Sequence, residues 1–315
     1  MNFWCYTLVY DVIVIGSGPA GLTSALYCGR ALLKTLVIAG TMPGGQLMLT
    51  TEVENFPGFE EPILGPDLIQ RTRKQAERFG AEFVQEDAIH VDFKIHPFKI
   101  NTDGKTYESN VVIIATGASA KWLGLDSETR LRGKGVSSCA TCDGFFFRGK
   151  DTVTVGGGDV ALEDTMFLTK FVNHATIIHR RDALRASKIL QDRALKNPKI
   201  SFVWDSVVEE VLGQQKVDGV RLKNVKTGKQ DVLRCDGVFV AIGHQPSTAI
   251  FEGQIELDQK GYAVTQGTAT SVEGVFACGD VRDFHYRQAV TAAGDGCRAA
   301  MDAEDYLEEK AHRAR

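Results

Sequence analysis

Cys139 and Cys142 stand three residues apart, Asp143 follows at once, and Phe145, Phe146 and Phe147 come after a single glycine. A pair with this spacing can supply half of a zinc site, close a structural disulfide, or cycle between dithiol and disulfide. Structural zinc takes four ligands, and the sequence holds no second such pair and no paired Cys/His cluster. An inert staple fits poorly with an adjacent carboxylate and with the nucleotide fold that follows. The pair therefore reads as redox-active.

Two glycine-rich turns flank it. The run YDVIVI (10–15) is short, apolar and β-branched, as a buried parallel strand is. Gly16, Ser17, Gly18, Pro19, Ala20 and Gly21 follow directly, and Pro19 suits the first turn of a helix. TLVIA (35–39) reads as the next strand, which completes a βαβ unit around G-x-G-x-x-G. A second unit begins at TVTV (152–155), turns at Gly156, Gly157, Gly158, Asp159, Val160 and Ala161, and reaches its next strand at ATIIH (175–179). Its fingerprint is the G-x-G-x-x-A variant. In both, the first glycine permits the tight turn and the second lets a pyrophosphate approach the backbone, while the helix N-terminus offers free N–H groups.

VVIIATGA (111–118) and VFVAIGH (238–244) close the two halves alike, so the chain carries a diverged internal duplication. The sequence after the second half is too short for a third domain. It is expected to return and complete the first, leaving the second as an insertion. The expected hinges lie after Ala118 and around Gly243 to Ser247.

An acid at the end of the second strand would hold a ribose hydroxyl. The second fold instead has His179, Arg180 and Arg181, then Arg185. Guanidinium forks suit a 2′-phosphate, so this fold is predicted to bind NADPH rather than NADH. The first fold also lacks the acid, ending Ala39-Gly40. It continues with Gly44, Gly45, Gln46 and Leu47, where a flat ring could meet backbone. Asp280, after Gly279 at the end of another strand, could accept from a polyol hydroxyl. One NADPH fold and one larger, interrupted fold suggest a flavoprotein with FAD in the larger.

The 315 residues match about two domains, and 43% apolar content suffices for packed cores. With 36 Lys plus Arg against 40 Asp plus Glu, the net charge of -4 gives no reason to expect nucleic acid or an anionic membrane as partner. No run approaches the length of a membrane span. The apolar start MNFWCYTL lacks a basic flank, so no secretory signal is expected. Seven scattered cysteines, an odd count, argue for a reducing, cytoplasmic setting.

In order and spacing, GSGPAG (16–21), GGQL (44–47), VENFPG (53–58), IIATGAS (113–119), CATCDGFF (139–146), VGGGDVALE (155–163), HRRDALRASKIL (179–190), FVAIGHQP (239–246), GVFACGDV (274–281) and YRQAVTAAGDGC (286–297) resemble the bacterial-type, low-molecular-weight thioredoxin reductases. The match covers nearly the whole chain, and CATCDGFF is its most specific element. The resemblance implies an α/β protein of two Rossmann-like, three-layer nucleotide-binding domains, with the NADPH domain inserted into a discontinuous FAD domain. The expected bounds are 1–119 and 248–315 for FAD, and 120–247 for NADPH and the cysteine pair.

For FAD it implies the residues already named in the first fold, with Asn55, Ala88, Gly117, Gly279, Asp280, Arg287, Gln288 and Ala289. For NADPH it implies the second turn, His179, Arg180, Arg181, Arg185 and Ile242. It implies a homodimer, and a rotation of one domain that lets the pair meet flavin and protein substrate in turn. By the same resemblance Cys142 lies nearer the flavin. Asp143 serves as acid–base, and the dithiol reduces thioredoxin through a mixed disulfide. Phe145 and Phe146 are either core or part of the thioredoxin-docking surface.

The chain departs from the family at Val160, where a hydroxyl residue is usual, at Cys278 in place of a usual Ala, and in its apolar start. Four other readings compete with this one. A ferredoxin-type flavin reductase has no need of the dithiol. The flavoprotein partner of a peroxiredoxin carries an extra thioredoxin-like module at its N-terminus. An oxygen-using thiol oxidase has no need of His179, Arg180 and Arg181. A non-catalytic redox sensor would not turn over NADPH continuously.

Overall fold

The computed structural model describes residues 8–50 and 52–313, so the apolar start, Leu8 apart, lies outside the described residues. The chain divides into two units. One holds the residues up to Ser119 together with those from Gln245 onward; the other runs from Ala120 to His244.

The first unit opens with β1 (Val9–Ile15), α1 (Pro19–Arg30) and β2 (Thr35–Ile38), followed by the short strands β3 (Glu52–Val53) and β4 (Ile63–Leu64). Then come α2 (Gly65–Arg78), β5 (Glu82–Val84), β6 (Ala88–Asp92), β7 (Phe98–Thr102), β8 (Thr106–Ile114) and β9 (Ala118–Ala120). The sheet order is β5-β2-β1-β8-β7-β6. Strands β5, β2, β1 and β8 are parallel, and β7 and β6 add an antiparallel edge. The β-branched residues of β1 and β8 are buried on both faces, because helices cover one side and further chain the other.

The second unit contains α3 (Asp126–Leu131), β10 (Val136–Ser137), α4 (Ala140–Asp143), β11 (Asp151–Val155), α5 (Asp159–Leu168), β12 (His174–Ile178), α6 (Lys188–Leu195) and β13 (Ile200–Val203). A three-stranded antiparallel sheet of β14 (Ser206–Leu212), β15 (Gly219–Asn224) and β16 (Gln230–Leu233) follows. The unit returns through β17 (Gly237–Val240) to β18 (His244–Pro246), and its main sheet is parallel in the order β10-β17-β11-β12-β13.

The last segment brings β19 (Val275–Ala277) alongside β8 and lays α7 (Ala289–Arg313) against α1. The two helices meet at small residues: a Cβ on Gly296 would stand 2.1 Å from the Ala20 carbonyl oxygen, and the Ser24 hydroxyl donates to the Gly296 carbonyl at 2.9 Å. The second crossing between units falls between His244 and Gln245. Ser247 is held in the first unit, its N–H donating to the Gly117 carbonyl at 3.0 Å and its carbonyl accepting from the Thr116 hydroxyl at 2.7 Å. Among the described residues no helix is long and apolar enough to cross a membrane.

Candidate active site

Cys139 and Cys142 are joined by a disulfide with Cα atoms 5.3 Å apart. Cys139 is the N-cap of α4, and the Cys142 N–H points at the Cys139 sulfur from 3.2 Å. The Thr141 hydroxyl stands 3.3 Å from the same sulfur. After reduction these two donors would favour the ionised form of Cys139. Asp143 ends the same turn, half-buried. Burial raises its carboxyl above the ordinary aspartate range, against a hydrogen bond from Ser137 that lowers it. A carboxyl so placed can keep its proton for the thiolate that leaves when the disulfide opens.

Three of the other described cysteines, all but the half-buried Cys297, are withdrawn from this chemistry by burial. Cys28, Cys235 and Cys278 are buried, and burial pushes each thiol up to about 12, so none ionises near neutrality. Among the described residues no group of three or more His, Cys, Asp or Glu side chains could hold a metal.

Phe147 faces inward, edge-on to Phe239 at 5.3 Å between ring centroids, whereas Phe145 and Phe146 are exposed. Phe145 also meets Phe171 edge-on.

The first glycine turn is a backbone cradle. A Cβ on Gly16 would stand 2.3 Å from the Ala115 carbonyl oxygen, and one on Gly21 would stand 2.0 Å from that of Gly16. At Gly18, the N-cap of α1, a Cβ would meet nothing within 4 Å, and no side chain caps the helix. Its first-turn N–H groups are thus left for an anion. Ser17 donates to the Ala39 carbonyl at 2.7 Å and accepts from the Gly44 N–H at 2.9 Å, which holds the Gly44–Leu47 loop against the turn. Asn55 donates to Gln288 at 3.2 Å, so two residues far apart in the chain converge.

Asp280 follows Gly279, whose φ of +75° favours glycine. Burial first, then the Asp283 charge, push the Asp280 carboxyl up to about 7, against the Arg287 guanidinium. The Gly279 N–H is fixed by Asp295 at 2.8 Å, and Asp295 is itself gripped by Arg282 at 2.7 and 2.6 Å.

The second turn repeats the pattern. Gly158 is the N-cap of α5, again without a side-chain cap, and Val160 sits half-buried in the first turn. Arg180, Arg181 and Arg185 are all exposed in the loop after β12, and Ile242 is exposed beyond β17. Asp159 accepts from the Ser187 N–H at 2.7 Å and so ties this loop to α5. His179 lies apart from the arginines in character, being only 4% exposed.

A family model described as pyridine nucleotide-disulphide oxidoreductase matches residues 10–296. A thioredoxin reductase of Rickettsia conorii is 54% identical over 302 residues, covering 94% of this chain and 97% of the relative. One of Streptomyces coelicolor is 54% identical over 304 residues, covering 95% and 94%. The chain belongs to the thioredoxin reductase family. A solved thioredoxin reductase of Streptococcus pyogenes superposes with a TM-score of 0.91 at 42% identity, covering 96% of this chain and 99% of that one.

Within this thioredoxin reductase fold, one feature escaped sequence reasoning. No acid ends β2, yet the segment joining β5 to β6 brings one carboxylate, that of Asp87, to that point. The Gly40 N–H donates to the Glu86 carbonyl at 3.1 Å, and Asp87 accepts from the Thr41 N–H at 2.9 Å and the Thr41 hydroxyl at 2.8 Å. Asp87 stands directly before Ala88, and no local sequence signal pairs it with Gly40.

Proposed function

We propose that this chain is an NADPH-dependent, FAD-containing thioredoxin-disulfide reductase. The observation that carries the reading is the Cys139–Cys142 disulfide, capped by its own α4 turn beside Asp143, in a chain of this family. The first unit suits FAD: an uncapped α1 terminus for pyrophosphate, Gly44–Leu47 backbone for a ring, and Asp280 for a polyol hydroxyl. The second suits NADPH, with Gly156–Gly158 for pyrophosphate and Arg180, Arg181 and Arg185 for a 2′-phosphate. Bound FAD supplies the two-electron relay between NADPH and the disulfide, chemistry that no side chain provides.

The chain's own residues do the rest. When the disulfide accepts an electron pair, the Cys139–Cys142 bond breaks. Asp143 delivers a proton to the Cys142 sulfur, and the Cys142 N–H and Thr141 hydroxyl stabilise Cys139 as thiolate. That thiolate attacks an oxidised thioredoxin, forming a mixed disulfide and expelling one thioredoxin thiol. Cys142 then passes its proton back to Asp143 and attacks Cys139, restoring the enzyme disulfide and releasing the second sulfur; each expelled thioredoxin sulfur takes a proton from water, so thioredoxin gains two electrons and two protons. Phe145 and Phe146 contribute apolar docking surface. Rotation about the two crossings near Ser119 and His244 brings the disulfide to flavin and partner in turn. The enzyme works as a homodimer, as the family resemblance implies, in the reducing cytoplasm that its scattered cysteines suit.

The test is direct. Purified protein should be yellow and should oxidise NADPH continuously when given thioredoxin and a disulfide dye. Cys139→Ser should stay yellow and lose thioredoxin turnover; full turnover in that variant would overturn the mechanism. Equal use of NADH would refute the arginine assignment.

A further inference from the structure

The two glycine turns differ at one place, and the difference gives His179 a role of its own. The strands are in the same register: Ile15 pairs with Ile38 where β1 meets β2, and Val155 pairs with Ile178 where β11 meets β12. Ser17 and Gly157 are therefore equivalent, as are Ala39 and His179. In the first fold the turn residue carries the side chain and the strand-end residue is small. In the second the sizes are exchanged. A Cβ on Gly157 would stand 2.3 Å from Nδ1 of His179, so the ring occupies the space a Gly157 side chain would need.

The same mechanical task is done in both. In the first fold Ser17 bonds the Ala39 carbonyl at 2.7 Å and takes the Gly44 N–H at 2.9 Å, holding the following loop on the turn. In the second, Nε2 of His179 bonds the Ala183 carbonyl at 3.1 Å, and the Arg185 N–H donates to the Gly157 carbonyl at 2.7 Å. A carbonyl only accepts, so Nε2 carries the hydrogen and Nδ1 is bare. A bare Nδ1 offers no donor to a phosphate. Burial, with smaller contributions from the Arg185, Arg181 and Arg180 charges, lowers the imidazole pKa against the Ala183 hydrogen bond and keeps the ring neutral. The edge of Trp204 closes the ring's other side at 6.4 Å between centroids.

We infer that His179 is a positioning residue that wedges the loop of residues 180–185 onto the Gly156–Gly158 turn, and that the 2′-phosphate is gripped by the arginines and not by His179. The inference rests on the reading that this loop receives a 2′-phosphate.

The experiment is calorimetric titration of the full-length protein with 2′,5′-ADP and with 5′-ADP, which reads binding without turnover. Wild type should prefer 2′,5′-ADP, and Arg185→Ala should lose much of that preference. His179→Ala should bind 2′,5′-ADP about tenfold more weakly, the loss expected for one hydrogen bond and its packing. His179→Gln, uncharged but able to donate to the Ala183 carbonyl, should stay within about threefold of wild type. Gly157→Ser alone should bind poorly. Gly157→Ser combined with His179→Ala rebuilds the first fold's pair and should bind better than either single variant. If His179→Gln is as weak as His179→Ala, or if the double variant is no better than the singles, the wedge is refuted while the 2′-phosphate reading stands. If wild type shows no preference for 2′,5′-ADP, that reading falls and the inference with it.

Discussion

Replacing Asp280 with asparagine should stabilise the flavin-free chain above neutral pH while weakening its hold on the flavin. Burial and the Asp283 charge carry the Asp280 carboxyl from 3.8 to about 7, with Arg287 opposing. The folded state therefore keeps a proton that the unfolded state loses between about pH 4 and about pH 7. Wild-type stability falls across that window as pH rises and stays lowered above it. A shift of about three units corresponds to at most about 4 kcal/mol, and partial solvent access brings the expectation nearer about 2 kcal/mol. Asp280→Asn has no such group, so it should match wild type near about pH 4 and exceed it by that amount near about pH 8. Urea titrations of flavin-stripped protein at both pH values measure this, with unchanged slopes showing that the unfolded state is the same. The affinity side runs the opposite way. An ionised carboxylate accepts a hydroxyl hydrogen bond worth about 1.5–3 kcal/mol, so the variant should bind FAD roughly ten- to a hundredfold more weakly. A variant whose urea midpoint tracks wild type at both pH values would refute the reasoning about Asp280.

Asp143→Asn removes the carboxyl whose pKa burial raises, so thioredoxin turnover should drop by about a hundredfold. Its pH–rate profile should also lose an ionisation lying above the ordinary aspartate value; an unaltered profile in steady-state assays would count against the proton-donor role. Glu128 is fully buried and accepts the Leu123 N–H at 2.9 Å and the Gly124 N–H at 3.1 Å, with Arg132 at 3.6 Å. Glu128→Leu leaves two amides and a guanidinium without their acceptor and should cost about 3–5 kcal/mol in denaturant unfolding, whereas a surface carboxylate such as Glu309 should cost little.

Much of the candidate site could be read from the chain. Strand, glycine turn and helix succeed one another without interruption in each half, from Val9 to Arg30 and from Asp151 to Leu168, and turn sterics act between near neighbours. Arg180, Arg181 and Arg185 were likewise conspicuous because a loop after a strand end is a local feature. Residues whose role depends on remote chain were opaque. Asp87 serves the β2 terminus from the segment between β5 and β6, and Asp295 fixes Gly279 from a helix. His179, grouped by sequence with the arginines, is buried with its Nε2 on a backbone carbonyl.

By itself the sequence determined which chemistry was available: one CxxC beside a carboxylate, two glycine-rich strand-to-helix turns, and a basic loop on only one side of the duplication. Those follow from residue type and short spacing, where sterics and periodicity leave few conformations. The tertiary structure decided which polar groups were already occupied. It committed Glu128 and Asp295 to backbone amides and His179 to Ala183, and it left the Asp280 carboxyl short of compensating charge. Burial sets those assignments, because a polar group removed from water must take a partner from whatever distant segment packs against it.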